Sequence, residues 1–148
     1  MFRDMGQTTP EVYDALLGVT EARLRDALAR GEYVAWVALA PDGETVIGGA
    51  GAQRRLAFPH PLRLPDGELR IAEGRHAIVL NVYTEPGWRR RGVAEALVRE
   101  VIRWAGEEHL DRLVLHASDA GRPFYERLGF VVTNEMRYQG PLTGGRRP

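Results

Sequence analysis

The sequence predicts an α/β fold, a mixed central sheet with helices on both faces, and three segments carry that expectation. His76 to Tyr83 contains the near-continuous apolar run Ala77-Ile78-Val79-Leu80, the pattern of a strand covered on both sides. Val93, Ala94, Leu97, Val98, Val101, Ile102 and Ala105 recur at helical spacing and form one apolar stripe from about Arg91 to Ala105. Leu113-Val114-Leu115-His116 then reads as another strand. Strand, helix, strand in that order is a βαβ unit, whose strands run parallel with a right-handed crossover.

The remaining elements follow from local signals. Thr9-Pro10-Glu11 is a helix start, with a hydroxyl at the N-cap, proline at N1 and an acid in the first turn. Thr20-Glu21 offers a second start. Two short helices, or one broken at Gly18, are therefore expected before Gly31, with Glu21→Arg25 and Asp26→Arg30 spaced for ion pairs. Tyr33–Leu39 is a strand, Pro41-Asp42-Gly43 a turn, and Thr45–Gly51 a second strand of an antiparallel hairpin. Its three glycines imply close backbone approach or a bulge. Leu56 to Arg75, with three prolines and two glycines, reads as a long loop. Glu85-Pro86-Gly87-Trp88 is a turn, and Gly106 is expected to end the long helix. Ser118 or Asp119 caps a short helix closed by Gly129, and Phe130–Val132 and Met136–Tyr138 are short closing strands. A single domain is expected over residues 1–140, with a polar, frayed tail at 141–148.

Composition narrows the function classes. Twenty basic and twenty acidic residues cancel, which argues against a general nucleic-acid binder. There is no cysteine, so no disulfide, thiolate metal site or cysteine nucleophile. No metal is expected. No apolar run approaches the length of a membrane span, and no signal-peptide core follows Met1, so the cytoplasm is the expected compartment and no membrane partner is expected. All twenty basic residues are arginine, which leaves no lysine side chain on which the chain could be acylated.

The segment richest in chemistry is Arg89-Arg90-Arg91-Gly92-Val93-Ala94, between the apolar strand and the start of the amphipathic helix. The first turn of a helix offers unpaired N–H groups and about half a positive charge, a setting suited to phosphate. Gly92 removes a Cβ where a pyrophosphate must approach backbone, and Ala94 keeps the next turn slim. As a bare triplet the arginines are more simply a solvated turn; their position between strand and helix favours the anion site. Neither G-x-x-x-x-G-K-[ST] nor a post-strand G-x-G-x-x-G is present, which excludes a P-loop and argues against a dinucleotide site.

Arg89-x-x-Gly92-x-Ala94 resembles the R/Q-x-x-G-x-G/A signature of the GNAT N-acetyltransferase superfamily. Leu80-Asn81-Val82-Tyr83-Thr84-Glu85-Pro86 before it resembles that family's fourth strand, and Phe124-Tyr125-Glu126-Arg127-Leu128-Gly129-Phe130 is similar to its "lYeklGF" block. The resemblance covers about Tyr33 to Tyr138. It implies an acetyl-CoA-dependent enzyme that moves an acetyl group directly to the primary amine of a small molecule or peptide. The two parallel strands would splay, helped by a bulge in the first. The pantetheine arm would pair with the backbone of Val82, Tyr83 and Thr84, and N–H groups from Arg90 to Ala94 would hold the pyrophosphate, with the side chains of Arg89, Arg90 and Arg91 around it. Tyr125 matches the family's general acid, and Ser118 stands where an asparagine that contacts CoA is common. A homodimer is a further family expectation.

Three departures accompany the resemblance. Many relatives carry a glutamate base on the fourth strand, whereas Ala77 to Leu80 has none; Glu73, Glu85, His116, Asp119 or a water chain are the alternatives. Ser118 replaces the asparagine. No strand is expected before the first helices, so the chain is expected to start late and to lack the family's first edge strand. The competing reading is a catalytically degenerate module that binds acyl-CoA or a partner. An RNA-binding reading needs stacking aromatics near the arginines, and only Trp88 offers one.

Overall fold

The computed structural model describes residues 9–64, 66–133, 135, 136 and 138. The chain divides into two units, residues 1–116 and 117–148. The first contains a helix α1 (Pro10–Ala29), strands β1 (Tyr33–Leu39), β2 (Val46–Leu56), β3 (His60–Arg63), β4 (Leu69–Ala72) and β5 (Arg75–Thr84), a 3-10 turn Pro86–Trp88, a helix α2 (Val93–Glu107) and strand β6 (Arg112–Leu115). The second contains helix α3 (Arg122–Arg127). Residues 141–148 and 1–8, on which the expectations of a tail and of a late start fall, lie outside the described residues.

The sheet runs in the order β1-β2-β5-β6, with β1/β2 and β2/β5 antiparallel and β5/β6 parallel. It is mixed, as expected, and the βαβ unit is β5-α2-β6. Helix α2 buries Leu97, Val101, Trp104 and Ala105 against Ala50, Ala52, Ala77 and Val79, with Val34, Trp36 and Ala38 packed around them. Ala77, Ile78 and Val79 are all buried, so the apolar run of β5 is covered on both faces. The stripe differs from expectation at its end. Ile102 is exposed, while Trp104 is buried and meets Trp36 edge-to-face at 5.5 Å, with the Arg54 guanidinium 5.0 Å from its ring. Gly106 does not end α2, which runs on to Glu107.

Thr9 caps α1 as expected, accepting from Val12 N–H at 3.5 Å ahead of Pro10. The helix is continuous through Gly18, because one interior glycine costs only about 1 kcal/mol relative to alanine. Glu21 and Arg25 pair at 2.7 Å, but Arg30 pairs with Glu32 rather than Asp26. The expected loop from Leu56 to Arg75 instead holds the hairpin β3–β4, closed by Leu64 N–H to the Glu68 carbonyl at 2.8 Å. Pro61 is tolerated there because a two-stranded sheet is all edge. Its base is fastened by Ala57 N–H to Gly74 C=O at 2.8 Å. Among the described residues no strand precedes α1, and β1 forms one edge of the sheet.

In the second unit, α3 ends in a Schellman closure. Gly129 takes φ +92°, its N–H reaches the Glu126 carbonyl at 3.0 Å, and Phe130 N–H reaches that of Tyr125 at 3.1 Å. That closure explains the Leu128-Gly129-Phe130 run. The expected strand Phe130–Val132 is not formed: the Phe130 N–H is spent on the closure, and Val131 and Val132 are exposed. Met136 and Tyr138 are likewise in no strand, and Arg137 lies outside the described residues.

Candidate active site

Pairing between β5 and β6 runs from His76↔Arg112 to Val79↔Leu115 and stops there, although β5 continues to Thr84. On its other side β5 stays bonded to β2, with a register shift: Gly51 faces Leu80 but Gly49 faces Tyr83. One extra residue of β5 is therefore inserted, and Asn81, at φ +56°, marks the bulge. The β2 glycines answer it. A Cβ on Gly48 would sit 2.9 Å from the Tyr83 carbonyl and 3.0 Å from Val93 Cγ1, and one on Gly51 would overlap the Tyr33 hydroxyl and the ring carbon that bears it. The β5/β6 ladder thus does not extend to Val82, Tyr83 and Thr84.

Beyond Thr84 the chain turns through Pro86–Trp88 to the arginines. Arg90 and Gly92 carry positive φ, +60° and +82°, on either side of Arg91. Such alternation gathers successive N–H groups into a concave nest that suits an anion. Arg90 is the notable member, because non-glycine residues rarely take this conformation and strain of this kind gathers at functional sites. Gly92 is the N-cap of α2, is exposed, and has no atom within 4 Å of where a Cβ would project. Its carbonyl starts the helix by accepting from Ala96 at 2.9 Å. Among the described residues nothing accepts from the backbone N–H groups of Arg91, Gly92, Val93 or Ala94.

Two of the three arginine side chains contact neighbouring residues. Arg89 Nε donates to the Thr84 carbonyl at 3.1 Å, and its guanidinium lies 5.8 Å from the Tyr83 ring centroid. This ties the turn back to the end of β5. The Arg91 guanidinium stacks 5.1 Å from the centroid of Trp88. Trp88 is thus engaged by an arginine of its own turn.

In the second unit, Tyr125 is half-buried between Phe124 and Phe130, with edge-to-face ring centroids at 4.9 and 5.9 Å. Burial pushes its phenol pKa above the ordinary value, so the hydroxyl keeps its proton at neutral pH. Ser118 does not cap α3; the N-cap is Gly121. Instead Ser118 opens the turn before it. Its hydroxyl oxygen accepts from Gly121 N–H at 3.2 Å, and its carbonyl accepts from Gly121 and Arg122 N–H at 3.0 and 2.9 Å.

The acids and histidine considered as bases are distributed as follows. Glu73 pairs with Arg75 at 3.2 Å, and Asp119 with Arg122 at 2.9 Å. Glu85 accepts from the Tyr83 hydroxyl at 3.5 Å. His116 is exposed. Among the described residues no three His, Asp or Glu side chains gather as a metal site, and no helix is long and apolar enough to cross a membrane. Sequence reasoning missed Asn81 and Tyr33 as parts of the site's frame. An asparagine inside an apolar strand, opposite three glycines, was the available signal.

Comparison with known proteins sets this geometry in context. The Acetyltransferase (GNAT) family matches residues 3–130. A GCN5-related N-acetyltransferase from Ralstonia eutropha has a similar structure, with TM-score 0.75, 29% identity, and 94% of this chain and 84% of that one covered. So does a protein of Clostridium acetobutylicum described as a predicted acetyltransferase with acetyl-CoA, at TM-score 0.65 and 26% identity over 80% of this chain and 71% of that one. The uncharacterized N-acetyltransferase YafP of Escherichia coli is 34% identical over 58 residues, 39% of this chain. The match spans about a third of that relative, 35% of its length.

Proposed function

Because the chain belongs to the acetyltransferase (GNAT) family, we propose that it transfers an acetyl group from acetyl-CoA to a primary amine by direct attack. The observation that carries this reading is the Arg90–Ala94 nest, where among the described residues nothing accepts from the N–H groups of Arg91 to Ala94, at the end of a strand whose pairing with β6 stops at Val79. The residues present fit the co-substrate. Amides of the nest suit its pyrophosphate, and the backbone of Val82, Tyr83 and Thr84 suits its amide-bearing arm as an added strand.

In the proposed reaction the amine nitrogen, having lost a proton, attacks the thioester carbonyl. A C–N bond forms, the C–S bond breaks, and the sulfur leaves as thiolate. Backbone N–H at the β5 bulge polarises the carbonyl. Tyr125 donates its proton to the thiolate; a thiol pKa near 8.5 is modest enough that a weak acid serves. Ser118, with one donor and two acceptor sites, is assigned to the CoA side. The amine's proton leaves through water, since β5 offers no carboxylate between Ala77 and Leu80. The acceptor is a small-molecule or peptide amine.

The test is thiol release from acetyl-CoA against a panel of primary amines, with the mass of the product checked. Amine-dependent turnover supports the reading. The carboxylate-free β5 favours one alternative, a degenerate module that binds acyl-CoA or a partner without chemistry. Tight CoA binding with no transfer to any amine of the panel would establish that alternative.

A further inference from the structure

The β5 bulge, just past the end of the β5/β6 pairing, is held from the far edge of the sheet. Asn81, its inserted residue, donates from Nδ2 to the Tyr33 hydroxyl at 3.0 Å. Tyr33 belongs to β1, two strands away, and is only 8% exposed. Its phenol reaches Asn81 by lying across β2 at Gly51, where any side chain would collide with it. Burial raises the Tyr33 pKa, and the Asn81 amide partly offsets that rise, so the hydroxyl stays protonated. Three residues from three strands thus meet at one point. That point is two residues past Val79, the last β5 residue paired with β6.

We infer that Tyr33, Gly51 and Asn81 form a latch that fixes the β5 bulge and so sets the course of the strand segment Val82–Thr84 to which an acyl-CoA arm binds. The inference rests on the acetyl-CoA reading above and names positioning residues, which act through the backbone they hold. Asparagine suits the hinge because it tolerates positive φ while its side chain stays free to donate. A bulge bends its strand and increases local twist, so fixing one dihedral fixes where the next three residues point. Glycine at position 51 gives the phenol its path.

The experiment compares the wild type with Tyr33→Phe, Asn81→Ala, the double variant and Asn81→Asp. CoA affinity is measured by calorimetry and backbone amide exchange residue by residue. Each single loss is expected to weaken CoA about fivefold to tenfold, the equivalent of one net hydrogen bond. Exchange should quicken at Leu80–Thr84 and not at Ala77–Val79. The double variant should be no worse than the weaker single one, because both break the same bond. Asn81→Asp, which tolerates the same φ and accepts from the phenol, should recover most of the affinity. Losses that add, exchange that quickens along the whole strand, or a Tyr33→Phe protein matching the wild type in both measurements would overturn the latch. If the wild type binds no CoA, the acetyltransfer reading falls, and the exchange pattern alone decides the latch.

Discussion

Asp111 and Arg75 bond to each other twice. The Asp111 carboxylate accepts the Arg75 N–H at 2.9 Å, and the Asp111 N–H donates to the Arg75 carbonyl at 2.7 Å. The same carboxylate accepts from Gly74 N–H at 2.9 Å and pairs with Arg70 at 3.4 Å, with its side chain only 2% exposed. One aspartate therefore fastens the start of β6 to the start of β5 and to the base of the β3–β4 hairpin.

That arrangement makes stability depend on acid. Burial works against ionisation of Asp111, but the Arg75 and Gly74 amides and the charges of Arg70 and Arg75 outweigh it, and the pKa falls below its ordinary value. A depressed carboxylate pKa contributes stability that is present above the unfolded value, about 3.9, and is lost as pH falls through the folded one. Melting temperature measured from pH 7 to pH 2 should therefore drop steeply below about pH 4. Asp111→Asn should lower the pH 7 value and flatten that acid slope. An unchanged slope in the variant would remove Asp111 from the account.

Trp104 offers a test of the core. It packs on Trp36 and lies under Arg54, which pairs with Glu108 at 2.8 Å. Trp104→Ala leaves a large cavity and should cost about 3–5 kcal/mol in denaturant unfolding. Ile102→Ala, on the exposed side of the same helix, should cost under about 1 kcal/mol. Comparable losses at the two positions would contradict the packing of α2 described above.

Those two residues also show where the sequence is legible. Helical spacing located α2, but a stripe drawn by residue type cannot tell Ile102 from Trp104, because the turn that faces the sheet is set by contact with Trp36 on β1. The βαβ unit was legible because β5, α2 and β6 each carry their own period. The β3–β4 hairpin was not, since Pro59, Pro61 and Pro65 mimic loop composition. At the candidate site the arginine–glycine motif was legible as chemistry. The positive φ of Arg90 and the bulge at Asn81 were not, because backbone conformation at one non-glycine residue depends on partners distant in sequence.

The nest predicts a separation of binding from stability at Gly92. A Cβ at this position would meet no atom within 4 Å, so Gly92→Val acts chiefly through the backbone, at a cost of at least about 1–2 kcal/mol for a β-branched residue at positive φ. The valine would nevertheless stand where an anion must approach the amides. CoA affinity should fall more than about tenfold, while the fold survives, as read by calorimetry beside circular dichroism. Inorganic pyrophosphate should compete with CoA for the wild type and not measurably bind the variant. Full CoA affinity in Gly92→Val would move the diphosphate site elsewhere.

Tyr125 is the sharpest test of the chemistry. Removing its hydroxyl leaves the ring contacts with Phe124 and Phe130, so Tyr125→Phe should fold and melt like the wild type. Loss of a general acid lowers turnover by about a hundredfold or more, with little change in KM for acetyl-CoA, because the proton moves only as the thiolate leaves. The pH dependence has a definite sign. Burial raises the Tyr125 pKa, so the proton is retained through the ordinary value near 10 and is lost only above it. Wild-type turnover should show no descending limb from this group below about pH 10. A hundredfold loss in Tyr125→Phe together with a wild-type limb falling at pH 8 would assign that limb to another acid. Undiminished turnover in the variant would dismiss Tyr125 from the mechanism.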